Sequence, residues 1–163
     1  MFFGGVTASN AVALWKDLHG ADPSFKLFGT DGVSDDEFVK GIGKIGSQTY
    51  ITVATLDPKS YPPSGQKFFE DYKATYGHEP EGAYAIYGYE AMSIVLQAIA
   101  DAGEKGNDRA AVVDAFFKIK DRDSVLGKYS IRDTGDPTLD SYGAYVIDGG
   151  KLVFSKKLNA SGE

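Results

Sequence analysis

The sequence predicts an α/β fold organised as a doubly wound parallel sheet, and three observations carry that expectation. Two strand-then-helix units follow one another at the start of the chain, a β-branched run supplies a third strand, and glycines stand where the first two strands end. Consecutive units of this kind join parallel strands through right-handed crossovers.

Met1-Phe2-Phe3-Gly4-Gly5-Val6 reads as a short buried strand that stops at its glycine pair. Thr7-Ala8-Ser9-Asn10 then offers N-capping side chains, and Val12, Leu14, Trp15 and Leu18 recur at helical spacing as far as Gly20. Phe25-Lys26-Leu27-Phe28 is the second strand and runs into Gly29-Thr30-Asp31-Gly32. Ser34 and Glu37 have the spacing of a capping box for a helix bearing Phe38 and Ile42. Thr49 to Thr55 is rich in β-branched residues, which suit a buried strand, and completes a three-strand parallel set.

The segment 56–63 holds three of the six prolines, and proline bars both helix interior and sheet ladder, so it reads as a crossing between two regions. Beyond it Phe68, Phe69, Tyr72 and Tyr76 predict a helix ending at Gly77, followed by a long apolar helix from Gly82 to Ala102 stopped by Gly103. A third helix, capped by Asn107 or Asp108, carries Val112, Val113, Phe116 and Phe117. Three helices in a row without a strand need apolar surface that either the first region or a missing segment must provide. The tail returns to strand: Lys128 to Ile131, a turn at Asp133-Thr134-Gly135-Asp136-Pro137, then a hairpin of Tyr142–Ile147 and Lys151–Phe154 joined by Asp148-Gly149-Gly150.

A chain of 163 residues can bury roughly 70% of its unfolded surface, enough for one real core. Its net charge of −6 works against nucleic acid, whose recognition depends on clustered cations. The apolar stretch Ala91 to Ala100 falls well short of the roughly 20 residues of a membrane-spanning helix. The absence of cysteine removes thiolate catalysis and disulfides. No basic, apolar leader opens the chain, so any secretory signal is expected to have been removed or to lie upstream.

In open parallel sheets, ligands bind beyond the carboxyl ends of the strands. Gly4, Gly5, Gly29 and Gly32 fall at that edge and let a ligand approach the backbone, with Asp31 placed to meet an ammonium group. Amides and hydroxyls near Thr7 and Ser9 suit a polar or anionic group. Asp31 reads equally well as a turn-capping residue, and both readings stand at this point.

Other motifs carry less. Gly41-Ile42-Gly43-Lys44-Ile45-Gly46 has the glycine pattern of a dinucleotide fingerprint but follows a helix and precedes a strand, the reverse of what that chemistry needs. His19 and His78 sit apart, each beside a glycine at a helix end, and Asp35-Asp36-Glu37 complements a helix dipole more simply than it binds a metal. Tyr84, Tyr87 and Tyr89 read either as pocket-lining residues or, on so apolar a helix, as core residues, and the core is expected. The triplet Asn159-Ala160-Ser161 matches the glycosylation pattern by chance. No nucleophile and base pair, metal site or cofactor is expected.

The order Phe2-Phe3-Gly4-Gly5, Leu27-Phe28-Gly29-Thr30-Asp31-Gly32, Tyr50-Ile51-Thr52-Val53, Phe68 to Gly77 and Ala85-Ile86-Tyr87-Gly88-Tyr89-Glu90-Ala91 resembles the later part of the branched-chain amino-acid binding proteins. These are type I periplasmic solute-binding proteins of ABC importers. Gly127-Lys128-Tyr129-Ser130-Ile131 and the closing hairpin follow in the same order. The resemblance runs over nearly the whole chain and rests on order and spacing, not on one diagnostic motif.

The resemblance implies less than half of a two-lobed protein, without its N-terminal part. Residues 1–57 and 138–163 would be second-lobe, ligand-binding segments, and residues 59–133 the closing helices of the first lobe, with crossings near 56–63 and 127–138. It implies a ligand-binding set of Asp31 for the α-ammonium, with Val6, Gly5 and Thr30 beside it. Some relatives carry an aromatic where Val6 stands, so a stacking contact is put in doubt. The implied partners are an amino-acid-like small molecule and a membrane permease, with no nucleic acid. The implied location is periplasmic or extracellular, soluble or lipid-anchored. The loops that grip the ligand carboxylate in such proteins come from the N-terminal part, so affinity is expected to be weak or absent. The alternative is a ligand-sensing domain of a receptor or regulator with the same fold. Exposed apolar surface around Phe68, Phe69, Ile94, Val95, Phe116 and Phe117 predicts self-association.

Overall fold

The structure is a computed structural model that describes residues 1–80 and 82–159. Ala160 and Ser161 of the glycosylation triplet lie outside the described residues. The chain forms two compact units, one of Met1–Asp57 with Ser141–Glu163 and one of Pro58–Asp140.

The first unit contains a five-stranded sheet. Strands β1 (Phe2–Phe3), β2 (Leu27–Gly29) and β3 (Thr49–Val53) are parallel neighbours in that order, as the βα units require. Helices α1 (Ala11–Ala21) and α2 (Asp36–Ile42) are the crossovers. A closing hairpin of β6 (Ser141–Asp148) and β7 (Lys151–Asn159) pairs antiparallel with β3, which makes the whole sheet mixed. Gly149 and Gly150, with φ of 56° and 75°, form the two-residue turn, a conformation that costs L side chains dearly.

Because the strand order advances in one direction, both crossovers pack on the same face. Trp15 from α1 and Phe38 from α2 are fully buried there against Leu27 and Ile51, each worth about 1.5–3 kcal/mol. Trp15 meets Phe3 and Phe38 edge-on at 5.4 and 5.1 Å, and its indole N–H donates to Thr49 Oγ1 at 3.0 Å. On the other face Phe2, Phe28 and Tyr50 stand in register, with Phe2 68% and Phe28 41% exposed. Within the first unit, α1 and α2 both lie on the Trp15 face. β1 ends the strand order and so stands at an edge of this sheet, and Phe2 is exposed where the sequence predicts burial.

Some boundaries differ from expectation for local reasons. Asp35, not Ser34, caps α2, its Oδ1 accepting from Phe38 N at 2.8 Å, while Ser34 Oγ donates to the Asp31 carbonyl at 2.7 Å. The run 41–46 is a helix end and a 3-10 turn, Gly43–Gln48, leading into β3.

The second unit comprises α3 (Pro63–Tyr76), α4 (Ala85–Asp101), α5 (Arg109–Phe117) and a hairpin of β4 (Arg122–Ser124) with β5 (Gly127–Tyr129). Asp108 is the cap of α5, accepting from Ala110 N and Ala111 N. Ile94 and Ala98 of α4, Ala115 of α5, Ile119, Tyr129 and Ile131 form the core. Glu90 is buried with them, its Oε1 accepting from Arg122 Nε and Tyr129 OH, both at 2.7 Å. Burial and the bond to Glu90 push the Tyr129 phenol well above its ordinary range. Burial works against charge on Arg122, but the bond to Glu90 outweighs it and holds the guanidinium more basic than usual.

Two expectations about this unit are corrected. Tyr84 and Tyr89 are 43% and 52% exposed, because α4 buries the Ile86, Glu90, Ile94, Ala98 face instead. Ile94, expected on an exposed patch, is only 7% exposed, whereas Val95 on the facing side is 45% exposed.

Candidate functional site

β1 and β2 run parallel with Phe2 opposite Phe28 and Phe3 opposite Gly29, so both end at one edge of the sheet. Past β1 the chain turns through Gly4, Gly5 and Val6 into a 3-10 turn, Thr7–Ser9. Past β2, Thr30 leads into a second such turn, Asp31–Val33. The two loops touch. A Cβ placed on Gly32 would run into the Gly5 carbonyl oxygen and the Val6 side chain, so only glycine permits this approach.

A polar tie joins the same loops. Thr7 Oγ1 donates to Asp35 Oδ2 at 2.5 Å and lies 3.4 Å from the Gly32 carbonyl oxygen. Asp35 thus caps α2 with one oxygen and anchors the first loop with the other. The Thr7 hydroxyl, read from sequence as a group for a ligand, is engaged in this tie. The tie itself escapes sequence reading, since Thr7 and Asp35 are 28 positions apart. Its only local signal is an Asp three residues before Phe38, a capping position.

Each residue of the expected ligand-binding set lies in these loops. Asp31 and Val6 are exposed, Val6 at 49%, and Gly5 and Thr30 are half-buried beneath them. The backbone below is fixed by Ser9 N to Val6 O at 3.0 Å, Val33 N to Thr30 O at 3.1 Å and Ser34 N to Asp31 O at 3.0 Å. Asp31, Asp35, Asp36 and Glu37 follow one another through the second loop and into the first turn of α2, where Lys40 pairs with Asp36 at 2.9 Å, and no lysine or arginine occurs from Phe2 to Trp15 or from Leu27 to Val39. Such a rim favours a cationic group and disfavours an anionic one. An exposed carboxylate beside an apolar Val6 therefore suits an ammonium group attached to an aliphatic body.

His78 Nδ1 lies 2.8 Å from the Glu79 carbonyl oxygen, and His19 Nδ1 is buried at the end of α1. The described residues contain no cluster of three or more His, Asp or Glu arranged to hold a metal. Within the second unit, Phe68, Tyr72, Tyr76 and Tyr89 line a groove between α3 and α4, with Lys67 and Asp71 paired at its rim.

A family model described as periplasmic binding protein matches residues 1–151. The Leu/Ile/Val-binding protein homolog 3 of Brucella melitensis is 28% identical over 153 residues, which are 94% of this chain and 40% of that protein. The Leu/Ile/Val-binding protein homolog 1 of Brucella suis is 33% identical over 147 residues, 82% of this chain and 38% of that protein. The crystal structure of the leucine-binding protein LivK of Thermotoga maritima superposes with a TM-score of 0.80 at 24% identity, covering 98% of this chain and 44% of its own. LivJ of Streptococcus pneumoniae, solved in complex with isoleucine, superposes at 0.73 and 20% identity, covering 97% and 44%. The chain spans about 40% of the length of the curated relatives it matches.

Proposed function

The chain belongs to the periplasmic binding protein family, and from that premise we infer that it is part of the extracytoplasmic solute-binding component of an ABC importer, taking an amino acid with an aliphatic side chain. The observation that carries this reading is the contact of the two glycine loops, which sets Asp31 and Val6 on one rim. Asp31 receives the α-ammonium as a charge-assisted hydrogen bond. Val6 meets the aliphatic side chain, and the Gly5 and Thr30 backbone lines the floor. The names of the Leu/Ile/Val-binding relatives and the isoleucine complex of LivJ support the same ligand class.

Residues 1–57 and 138–163 then act as the ligand-binding segments of one lobe, and 59–133 as closing helices of the other, in a protein that works by closing on its solute. The ligand is bound and released, with no bond made or broken. An exposed carboxylate–ammonium pair is worth little in water, so this chain alone holds its ligand at about millimolar affinity, roughly −4 kcal/mol.

Saturation-transfer NMR of the chain against leucine, isoleucine, valine, glutamate and a neutral sugar tests the reading. Signal from the three aliphatic amino acids, weaker signal from glutamate and its loss in Asp31→Asn are expected. Preferential binding of the sugar, or binding indifferent to Asp31→Asn, defeats it.

A further inference from the structure

Thr7 and Asp35 stand beside the proposed ligand set without belonging to it. Thr7 Oγ1 donates to Asp35 Oδ2 at 2.5 Å, a hydrogen bond to a charged acceptor that spans 28 positions of chain. The other carboxylate oxygen of Asp35 accepts from Phe38 N at 2.8 Å, and the Asp35 carbonyl accepts from Val39 N at 3.1 Å. Phe38 and Val39 are buried in the core of the first unit, where Phe38 meets Trp15 edge-on and Trp15 meets Phe3 of β1. Asp35 is thus fixed by a capped helix start and a packed core, and it passes that fixity to Thr7.

The first loop needs such a tie. It is entered through Gly4 and Gly5, and glycine loses more conformational freedom on ordering than any other residue. Val6 adjoins Thr7 in this loop, and Asp31 adjoins Gly32 in the other, whose carbonyl oxygen lies 3.4 Å from the same Thr7 hydroxyl. One hydroxyl therefore sits at the junction of both loops, a residue away from each side chain of the rim.

We propose that Thr7 and Asp35 are positioning residues of the solute site, an assignment that rests on the reading of this rim as that site. Their bond sets the separation of Val6 and Asp31, so that the aliphatic body and the ammonium of one ligand are met together. Asp35 spends one oxygen on Phe38 N and the other on Thr7, and so acts on the ligand through the loops, while Asp31 is the acceptor for the ammonium. A first loop ordered in advance spares the ligand the entropy of ordering it, which is how a residue without a ligand contact raises affinity.

Titration of the ¹⁵N-labelled 163-residue chain with leucine, followed by amide shifts, tests the proposal from both ends of the bond. Thr7→Val keeps the side-chain shape and removes the hydroxyl. Asp35→Ser keeps a capping oxygen for Phe38 N but withdraws the carboxylate from Thr7. Each is expected to weaken leucine binding at least about threefold, and the double variant no further than either alone, since both remove the same bond. Thr7→Ser is expected to bind within about twofold of the wild type. Thr49→Val strips a buried bond from the core of the same unit and is expected to lower the thermal midpoint with affinity unchanged, which separates positioning from mere stability. In the ligand-free chain, Thr7→Val is expected to shift the amides of Thr30, Asp31 and Gly32 in the opposite loop. A wild type that does not respond to leucine defeats the solute reading and this assignment with it. A wild type that responds, while Thr7→Val binds as tightly or Thr49→Val as weakly, overturns the assignment alone. Ligand-free shifts confined to residues 6–9 and 35–39 overturn it as well.

Discussion

Gly32 shows how little room the rim leaves, since the Gly5 carbonyl oxygen occupies the place a Cβ would take. Gly32→Ala is expected to force the loops apart and cost about 1–3 kcal/mol, read as a lower thermal midpoint. Thr7→Val removes the hydroxyl that ties the loops and leaves the Asp35 cap intact. A loss of about 1 kcal/mol is expected, with Thr7→Ser retaining most of the wild-type stability. In the core, Thr49→Val strands the buried Trp15 indole N–H. That change should cost about 1–3 kcal/mol in denaturant unfolding, more than a methyl-for-hydroxyl exchange at the surface. The glycines and Asp31 were legible as a rim from the sequence, because strand ends and glycines mark it. The Thr7–Asp35 tie was not, because a hydroxyl and a capping carboxylate far apart in sequence carry no sign of meeting.

Among the elements, the hairpin of β4 and β5 depends most on polar contacts. Arg122 and Glu90 side chains are 15% and 5% exposed, so removing one partner leaves the other charge uncompensated in poorly hydrated surroundings. Arg122→Ala is expected to cost about 3 kcal/mol. Tyr129 adds a pH dependence whose sign is fixed. Burial first, then the bond to Glu90, raises its pKa in the folded protein above the ordinary 10.0. The folded state therefore keeps the phenol proton longer than the unfolded chain does. The stabilisation is complete below pH 10.0 and is lost as pH climbs above it. Tyr129→Phe should flatten that alkaline loss in chemical unfolding followed at stepwise pH, and an unchanged slope would count against the assignment. The parallel strands, the helices and the glycine-turned hairpin were readable because each has a period or a turn residue of its own. Arg122-Asp123-Ser124 has neither; it pairs with β5, and its Arg122 side chain is held by Glu90, distant in sequence. The same remoteness explains Tyr84 and Tyr89: an apolar run does not say which of its faces the core will take.

At the largest scale, the first unit packs α1 and α2 on one face of its sheet and carries the loops of β1 and β2 at the carboxyl edge, where its charge is acidic. Strand order alone was enough to put the loops of β1 and β2 together, since parallel neighbours must finish on one side. Which face α1 and α2 take was not readable, because strand periodicity does not specify it. The central claim is that this edge recognises an amino acid through its ammonium group, with Asp31 as the acceptor. Amide chemical shifts of the ¹⁵N-labelled chain, recorded during titration with leucine and separately with 4-methylpentanoate, its analogue without the amine, test that claim most directly. Leucine is expected to shift Gly5, Val6, Thr30 and Asp31 together, with 4-methylpentanoate and the Asp31→Asn variant producing no such response. Equal shifts from both compounds, or leucine-dependent shifts confined to residues away from these loops, would contradict it.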